Sequence, residues 1–386
     1  MRHSIKRGLA VATVGLTALA LAACSTPAPD ASPDGDFEPI TSIKLQLQWL
    51  PQAQFAGYYV ALDQGYFEEQ GFDSVEIIPS GGDIVPQDAL VAGDVDFAVA
   101  WVPKVLGTLE GTGAELTDIA QVFQKSGTLQ VSFAGDGVSE VSDFEGKRIG
   151  SWGFGNEWEI FAAMAAEGLD ASSVSITTQD FSMNALLDGD VDAAQAMTYN
   201  EWAQILEVVN PATGELYQPE DFDVVSYEDT EGAMLQDAIW ADTARLEDPA
   251  YADAAVRFLK AIIKGWVFAR DNPEEAAAIT FDAATNAELA FPVGPVHQLW
   301  QMNEVNKLIW GDGDFGVINQ AAWEKTVAGA LSAVNQDGLP LITAEPADSA
   351  WSNTYIQQAL NELSEEGIDI DTRYTPIEVT LTEGGQ

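Results

Sequence analysis

Cysteine and histidine are almost absent from this chain of 386 residues, which contains one cysteine and two histidines. With Cys24 alone, no disulfide can form within the chain and no cysteine cluster can hold a metal. His297 lies in a helical pattern with no Gly-x-Ser-x-Gly turn upstream, so we expect it to be structural. The sequence also lacks a Walker loop, a dinucleotide-binding glycine triplet and a His/Cys spacing for a metal. We therefore expect a protein that is not an enzyme and needs neither a cofactor nor a metal.

Basic residues are scarce as well. The chain has 16 Lys and Arg residues against 61 Asp and Glu residues, which gives a formal net charge of −45 at pH 7. Nucleic acid and anionic lipid surfaces are poor partners for such a chain. The acidic residues are spread along the whole sequence, which is typical of a solvated surface. Few arginines follow the amino-terminal segment, and this weighs against a pocket built to clamp sulfonate, sulfate or phosphate.

Long apolar runs are missing except near the amino terminus. Arg2, Lys6 and Arg7 precede an apolar run over residues 8–23, which is too short to span a bilayer and is typical of a secretory signal peptide. The run ends in Leu-Ala-Ala-Cys, which resembles a bacterial lipobox. We predict that residues 1–23 are removed and that Cys24 is lipidated, which anchors the protein to the outer side of a bacterial membrane. Residues 24–40, rich in Ser, Thr, Pro, Ala and Asp, are predicted to be a flexible tether.

The remaining length, about 345 residues, favours two lobes over one. Predicted strands and helices alternate through much of the chain, which indicates an α/β fold. We assign residues 41–127 and 237–386 to the first lobe and residues 128–236 to the second. The last 140 or so residues are mostly helical in pattern, and the ending at 377–386 lacks any period and is expected to fray.

The stretch from Gln48 to Ala61 packs four aromatic rings and three amides into fourteen residues. Residues 43–49 alternate between apolar and polar with period two, and Pro51 is a residue that can begin a helix. A junction between a strand and a helix is where open α/β sheets bind ligands. We assign four of these side chains to one wall of a cleft and return Phe55 and Val60 to the core; the four are Gln48, Trp49, Gln54 and Tyr58.

Three later junctions share this layout. Trp101 ends a buried strand, Trp152 ends another, and Tyr199 follows a third. The segment 89–96 is matched by the segment 185–192 in the second lobe, and each is predicted to be a short helix, a Gly-Asp turn and a buried strand. The same reasoning adds side chains and a glycine turn near these junctions: Gly82, Asp83, Gln124, Asn156, Glu157, Asn200 and Glu201.

These motifs, in this order, resemble the solute-binding proteins for thiamine pyrimidine precursors and their riboflavin-binding relatives. The resemblance covers about residues 43–270 and rests on the runs at 48–61, 65–72, 81–83, 89–101, 121–124, 146–150 and 189–200. It implies a type II periplasmic-binding-protein fold, in which two α/β lobes close on a ligand and present it to an ABC permease. A fungal branch of that fold synthesises the pyrimidine with a lysine-bound pyridoxal phosphate and a Cys/His-rich iron-binding run, and this run is absent here.

The resulting expectation is a monomeric, lipid-anchored binding protein of an ABC importer whose ligand is a thiamine pyrimidine precursor or, close behind it, riboflavin. Rings among the predicted site residues would stack on the ligand, and the amides, Asp83 and either Glu157 or Glu201 would bind its polar edge. Two alternatives stay open. An alkylsulfonate or nitrate carrier would need a cation such as Arg148 in its pocket, and a pyrimidine synthase would need a lysine such as Lys104 or Lys125.

Overall fold

The computed structural model describes residues 37–81, 84–286, 294–311, 313–370 and 373–386. Within these ranges the chain forms ten β-strands and twelve α-helices. The strands are β1 (Ser42–Gln46), β2 (Ser74–Ile78), β3 (Phe97–Trp101), β4 (Leu116–Gln121), β5 (Thr128–Phe133), β6 (Arg148–Ser151), β7 (Ser175–Thr178), β8 (Ala194–Met197), β9 (Phe222–Ser226) and β10 (Asp237–Asp242). The helices are α1 (Ala56–Asp63), α2 (Tyr66–Glu69), α3 (Pro86–Val91), α4 (Val102–Thr112), α5 (Trp158–Ala166), α6 (Asn184–Leu187), α7 (Glu201–Leu206), α8 (Pro249–Asp271), α9 (Pro273–Asn286), α10 (Pro295–Ile309), α11 (Gln320–Ser332) and α12 (Thr354–Glu365). No helix in the described part of the chain has the length and apolar character needed to cross a bilayer.

The first sheet has five strands in the order β2-β1-β3-β10-β4. β1 pairs in parallel with β2 and β3, whereas β10 runs antiparallel to both β3 and β4. The five residues of β3 are all buried, as expected for a central strand covered on both faces. Helix α8 covers one face, where Phe258 stacks on Phe97 with ring centroids 4.4 Å apart. The predicted strand over residues 43–49 and the buried strand predicted to end at Trp101 are confirmed.

The second group of strands lies between β4 and β10 in the chain. β5 pairs antiparallel with β8 and β9, and β6 pairs in parallel with β7. A bridge from Ile149 to Ala193 joins the two sets. The segments 89–96 and 185–192 both run from a short helix through a glycine turn toward a buried strand, α3 to β3 and α6 to β8, as the repeated motif predicts. The chain therefore builds two α/β halves that share one plan.

The chain crosses between the sheets twice, from β4 to β5 and from β9 to β10, and hydrogen bonds tie the crossings together. Gly127 donates its backbone N–H to Gln236 Oε1 at 2.9 Å, and Gln236 Nε2 donates to Thr128 Oγ1 at 2.6 Å. Glu159 of α5 accepts from the backbone N–H of Met234 at 3.0 Å and from Gln236 Nε2 at 3.2 Å. Burial raises the pKa of the Glu159 carboxyl, and these donors oppose the rise. One buried carboxyl thus joins the second half to both crossings.

Two local predictions are wrong, one at the start of the first helix and one at the carboxyl terminus. The first helix does not begin at Pro51, because Gln52 is extended (φ −148°) and a short 3₁₀ turn at Ala53–Phe55 precedes α1. The backbone N–H of Ala53 donates to Gln298 Oε1 of α10 at 2.8 Å, a tertiary contact that local sequence cannot reveal.

The carboxyl-terminal segment is held in place and does not fray. Asn303 Oδ1 accepts the backbone N–H of Ile377 at 2.9 Å, and Glu207 O accepts that of Gly384 at 3.2 Å. Gly385 is buried against His297. Residues 377–382 form no regular element and lead into a 3₁₀ turn at Glu383–Gly385, so the segment is held by single hydrogen bonds and has no periodic buried face.

The amino-terminal predictions lie mainly outside the described residues. These are the signal peptide, Cys24 and the tether up to residue 36. Of the tether residues within the described part, Ile40 packs against the core, and its carbonyl accepts from Arg257 Nη2 at 2.9 Å.

Candidate functional site

A cavity of about 180 Å³ opens where the carboxyl ends of strands from the two halves face each other. Its lining is rich in aromatic and amide side chains. The lining residues are Gln48, Trp49, Gln54, Ile84, Val85, Pro86, Gln87, Trp101, Lys104, Trp152, Phe154, Asn156, Phe181, Met197, Tyr199, Asn200 and Glu201.

Four strand ends supply the central part of this lining. Gln48 and Trp49 follow β1, and Trp101 is the last residue of β3. On the other side, Trp152 follows β6 and Tyr199 follows β8. These positions converge because the carboxyl ends of the strands meet at one edge of each half. The predicted convergence of the four junctions is present in the structure.

The aromatic side chains form two walls. Trp101 and Trp152 are 5% and 6% exposed, so their rings are held rigidly by the surrounding core. Trp49 is half-buried, and its ring centroid lies 4.2 Å from that of Phe181 at an interplanar angle of 55°. Rigid indole faces suit a flat ligand, which gains both apolar contact and ring stacking.

Phe154 stands at the cavity with 90% of its surface exposed and with φ at +55°. It is the only non-glycine residue with positive φ in the described part of the chain, and Gly153 and Gly155 on either side also have positive φ. Asn156 Nδ2 donates to Gly153 O at 2.6 Å, and Glu157 Oε2 accepts the Gly155 N–H at 3.0 Å. The turn therefore holds a large apolar ring in a strained, exposed position beside the cavity.

Glu201 provides a carboxyl in the lining. Its Oε2 accepts the backbone N–H of Met197 at 2.9 Å, and its Oε1 accepts Asn200 Nδ2 at 2.7 Å. Burial raises the pKa of Glu201 from 4.5 to about 7, although these hydrogen bonds oppose the rise. Near neutral pH the group can therefore exist as an acceptor or as a proton donor toward a ligand.

Asp237, at the start of β10, lies beneath two lining residues. Its Oδ1 accepts Trp101 Nε1 at 2.8 Å and also accepts the side-chain N–H of Gln48. Burial raises the pKa of Asp237 from 3.8 to about 7, while its two donors and the ammonium of Lys104 act in the opposite direction. Sequence reasoning missed this residue, because one more aspartate in so acidic a chain carries no signal.

Lys104 brings a cation to the lining. Its Nζ lies 4.9 Å from the centre of the Trp101 ring, within reach of a cation–π contact. Burial lowers the pKa of Lys104 from 10.5 to about 8, and the nearby Asp237 and Glu157 raise it again in part. The sequence suggested Lys104 only as the lysine of a synthase, whereas the structure places it in the cavity.

Nine of the predicted ligand-binding residues line the cavity. They are Gln48, Trp49, Gln54, Trp101, Trp152, Asn156, Tyr199, Asn200 and Glu201. Gly82 and Asp83 lie outside the described residues, and Cys24 does so too.

Tyr58 was wrongly assigned to the wall. It is 1% exposed, and its ring packs edge-on against Trp266 of α8 with centroids 6.0 Å apart. Burial raises the pKa of its hydroxyl well above the ordinary value. Tyr58 shares a helical face with Phe55 and so belongs to the core beneath the cavity.

Gln124 and Glu157 do not line the cavity either. The Gln124 side chain donates to Gln121 O at 2.6 Å, and its backbone N–H bonds to Leu308 O. Gln124 thus fixes the end of β4, and Glu157 fixes the turn that carries Phe154.

Several lining residues had no clear sequence signal. Residues 84–87 precede or begin α3, and no period or composition marks them as lining a cavity. Phe181 lies in a polar loop and packs on Trp49, a tertiary contact that the local sequence does not mark. Met197 ends β8 two residues before Tyr199.

The prediction that His297 is structural is confirmed. Its Nδ1 lies 2.9 Å from Glu207 Oε1, and its Nε2 lies 3.0 Å from Asn200 Oδ1. Gln301 Nε2 donates to the same Asn200 oxygen at 3.1 Å. This buried network links α7 to α10 and orients Asn200 in the cavity wall.

Of the cations named for the two alternatives, the structure places Lys104 in the cavity lining and Arg148 away from it. Arg148 is bound to Asp192 and to the carbonyls of Gly189 and Asp190, on an exposed surface. Lys104 is the one cation among the described lining residues. Among the residues that the structure describes, no group of three or more His, Cys, Asp and Glu side chains could hold a metal ion.

One family profile and two named relatives match most or much of this chain. The profile of the NMT1/THI5 like family matches residues 52–276, more than half of the chain. A formylaminopyrimidine-binding protein of Halalkalibacterium halodurans is 24% identical over 317 residues, which cover 81% of this chain and 90% of that protein. The riboflavin-binding protein RibY of Chloroflexus aurantiacus is 25% identical over 294 residues, which cover 73% of this chain and 80% of that protein.

The fold has known counterparts. The periplasmic sulfonate-binding protein SsuA of Methylobacillus flagellatus KT matches with a TM-score of 0.56 at 16% identity, over 89% of this chain and all of that one. At this identity the likeness shows the fold and no ligand. The predicted α/β fold of periplasmic binding proteins, with two lobes, is confirmed.

Proposed function

Since the chain belongs to the NMT1/THI5 like family, we propose that it is the solute-binding protein of an ABC importer and captures an aromatic heterocycle. The ligand we favour is a thiamine pyrimidine precursor, and riboflavin is the second candidate, because proteins named for these two ligands are similarly distant relatives. The observation that carries the proposal is the cavity lined by Trp49, Trp101 and Trp152 between the two halves.

In this proposal the ligand ring stacks on the indoles, and amides and carboxyls bind its edge. Gln54, Asn156, Asn200 and Glu201 offer donors and acceptors around the rings. The Glu201 carboxyl is a further acceptor at the polar edge of the ligand, and an aminopyrimidine carries an exocyclic amino group that a flavin lacks. Shape and hydrogen bonding together would then separate the two candidate ligands.

Ligand capture also involves closure of two lobes. We place the lobes at residues 41–127 with 237–386 and at residues 128–236, joined by the two crossings. The ligand contacts both halves, so it stabilises the closed arrangement by the difference in its affinity for the two states. A permease would bind the surface that the two lobes form when they close.

We further propose that the protein works outside the cytoplasm, attached through a lipid on Cys24, as a monomer that partners a membrane permease. Binding without catalysis is supported by the absence of a Cys/His metal cluster in the sequence and in the described residues. Lys104 is available to a carbonyl cofactor, so incubation with pyridoxal phosphate is a useful control. An absorbance band from a Schiff base would favour a synthase.

Thermal-shift screening of the purified protein tests the proposal. The ligands are the N-formyl aminopyrimidine, riboflavin, thiamine and taurine. A ligand at one hundred times its Kd adds about 2.7 kcal/mol to the free energy of unfolding. We expect stabilisation by a heterocycle and none by taurine. Stabilisation by taurine alone would refute the proposal.

Matched tryptophan variants locate the binding site. Trp49→Ala removes a ring from the cavity, whereas Trp202→Ala removes a half-buried ring that packs on Phe222 elsewhere. We expect the first variant to lower the affinity at least tenfold and the second to leave it unchanged, as measured by calorimetric titration. Equal effects of the two substitutions on affinity would show that Trp49 does not contact the ligand.

A further inference from the structure

Asp237 carries two hydrogen bonds on one carboxyl oxygen. Trp101 Nε1 donates to Oδ1 at 2.8 Å, and the side chain of Gln48 meets the same oxygen. Asp237 is 1% exposed, so no bulk water competes for this oxygen. Both partners line the cavity, whereas Asp237 lies behind them.

The indole N–H decides which end of the Gln48 amide faces Asp237. An indole nitrogen can only donate, and an ionised carboxylate oxygen can only accept, so Oδ1 of the ionised Asp237 accepts from both partners. The Gln48 group that meets Oδ1 must therefore be the NH₂ group. A protonated Oδ1 could accept from the indole and donate to the Gln48 oxygen instead, so this orientation belongs to the ionised carboxylate, which the nearby ammonium of Lys104 favours.

The amide oxygen of Gln48 therefore points away from Asp237. It is buried, and it has no hydrogen-bond partner within the described part of the chain. On the second half of the molecule, Trp152 Nε1 is likewise buried without a partner there, and Trp152 also lines the cavity. Unpaired buried polar atoms are costly, and a bound molecule is one way to satisfy them.

Gln87 Oε1 is the third unpaired buried atom that belongs to a described lining residue, and its amide has no fixed orientation. Gln87 Oε1 is also buried without a partner among the described residues, but its Nε2 meets the hydroxyl of Thr108 at 3.2 Å. A hydroxyl both donates and accepts, so nothing fixes the orientation of that amide. Gln48 differs from Gln87 because Asp237 and Trp101 leave its amide one orientation.

We infer that Asp237 is a positioning residue that holds the Gln48 amide oxygen toward the ligand and thereby selects ligands with an N–H donor, such as the exocyclic amino group of a heterocycle. Trp152 Nε1 takes an acceptor atom of the same ligand from the opposite side. The inference rests on the proposed function and specifies the ligand class of that site. A heterocycle without an N–H at this position leaves Gln48 Oε1 unpaired.

Two substitutions of Asp237 by side chains of similar size separate an effect on the orientation of Gln48 from an effect of side-chain volume. Asp237→Asn can keep an oxygen against Trp101 Nε1 and so keeps the Gln48 orientation, whereas Asp237→Leu removes the acceptor and frees the amide to rotate. The probes are the N-formyl aminopyrimidine and its analogue in which a methoxy group replaces the exocyclic amino group. Calorimetric titration gives the ratio of the two Kd values for each protein.

We expect the wild type to prefer the amino ligand by roughly tenfold or more, the effect of one hydrogen bond to a buried acceptor. Asp237→Asn should keep this preference, and Asp237→Leu should bring the ratio close to one. Gln48→Met removes the amide itself and should also abolish the preference, and it decides the matter if Asp237→Leu does not fold.

The outcomes are distinguishable. A wild type that binds neither probe nor riboflavin refutes the proposed function, and the inference falls with it. A wild type that binds the amino ligand while Asp237→Leu or Gln48→Met keeps the full preference refutes the inference alone. Equal affinity of the wild type for the two probes also overturns it.

Discussion

At the scale of single residues, Asp237 links the site to stability. Its pKa rises from 3.8 to about 7 on burial. Between these values the folded protein holds a proton that the unfolded chain has released, so the free energy of unfolding falls as the pH rises through this window. The stabilisation is complete below pH 3.8 and is lost above pH 7.

The Asp237→Asn variant makes this measurable. Asparagine does not titrate, so the wild type should lose about 2 to 3 kcal/mol more of its free energy of unfolding than the variant between pH 5 and pH 7.5. Urea denaturation at the two pH values gives both numbers. Glu201 titrates in the same direction in both proteins, so it largely cancels in the comparison. A variant with the same pH slope as the wild type would show that Asp237 is ionised throughout.

Phe154 is a second residue whose conformation is costly. A phenylalanine at φ +55° carries strain of about 1 kcal/mol or more, and asparagine tolerates this region better. We expect Phe154→Asn to raise the free energy of unfolding by about 1 kcal/mol and to weaken ligand binding. Urea denaturation and calorimetric titration measure the two effects.

Phe154→Leu is the matched control for this change. Leucine keeps the strain and loses the aromatic face, so the free energy of unfolding should stay near that of the wild type while the affinity falls. If both variants bound the ligand as tightly as the wild type, the ring would have no part in binding, and ligand contact would not explain its strained, exposed position.

The sequence predicted some site residues and could not predict others. Trp49 and Trp152 were found because a ring that ends a predicted strand has a known place at the sheet edge. Tyr58 has the same residue type and lies in the same stretch, yet it packs against Trp266, which is more than 200 residues away in the chain. Lys104 lies three residues after Trp101 and was named only for a synthase, whereas Asp237 reaches the site through tertiary structure and no local pattern marks it.

At the scale of elements, helices α1 and α8 cross where two glycines meet. A Cβ on Gly265 would lie 2.0 Å from the carbonyl oxygen of Gly57, and a Cβ on Gly57 would lie 2.4 Å from the Trp266 ring. Backbone atoms cannot yield as a side chain does, so the helices would have to separate. This crossing keeps α1 against the sheet and so holds the loop that carries Gln48 and Gln54.

A pair of glycine substitutions tests the crossing. Gly265→Ala should lower the free energy of unfolding by about 3 kcal/mol, because it overpacks a helix contact. Gly111→Ala in α4 meets nothing within 4 Å and should raise it by about 0.5 to 1 kcal/mol through helix propensity. Urea denaturation of both variants gives the comparison. An unchanged stability for Gly265→Ala would mean that the helices do not touch at this point.

Element boundaries were easier to predict than element partners. Buried strands such as β3, β4 and β5 and the long helices from α8 onward were visible from period and composition. The short β7 and the 3₁₀ turn before α1 were not predicted, because each depends on a neighbour that supplies its hydrogen bonds. The order of strands in the first sheet, with β10 between β3 and β4, likewise depends on contacts far apart in sequence.

At the scale of the whole molecule, the dominant feature is charge. A net charge of −45 repels itself in the compact state, and salt screens this repulsion. We expect the midpoint of thermal unfolding to rise by several degrees between about 0.05 M and 1 M NaCl. Sucrose at matched osmolality serves as a control, since it favours burial without screening charge. A midpoint that fell with added NaCl would contradict a stability limited by surface repulsion.

The central claim is that the cavity between the two halves of the molecule binds an aromatic heterocycle for import. Calorimetric titration of the purified protein with the N-formyl aminopyrimidine and, separately, with riboflavin tests it most directly. We predict saturable heat with one molecule bound per chain for one of the two ligands, and its loss in Trp49→Ala. Saturation by taurine with no heat from either heterocycle would contradict the claim.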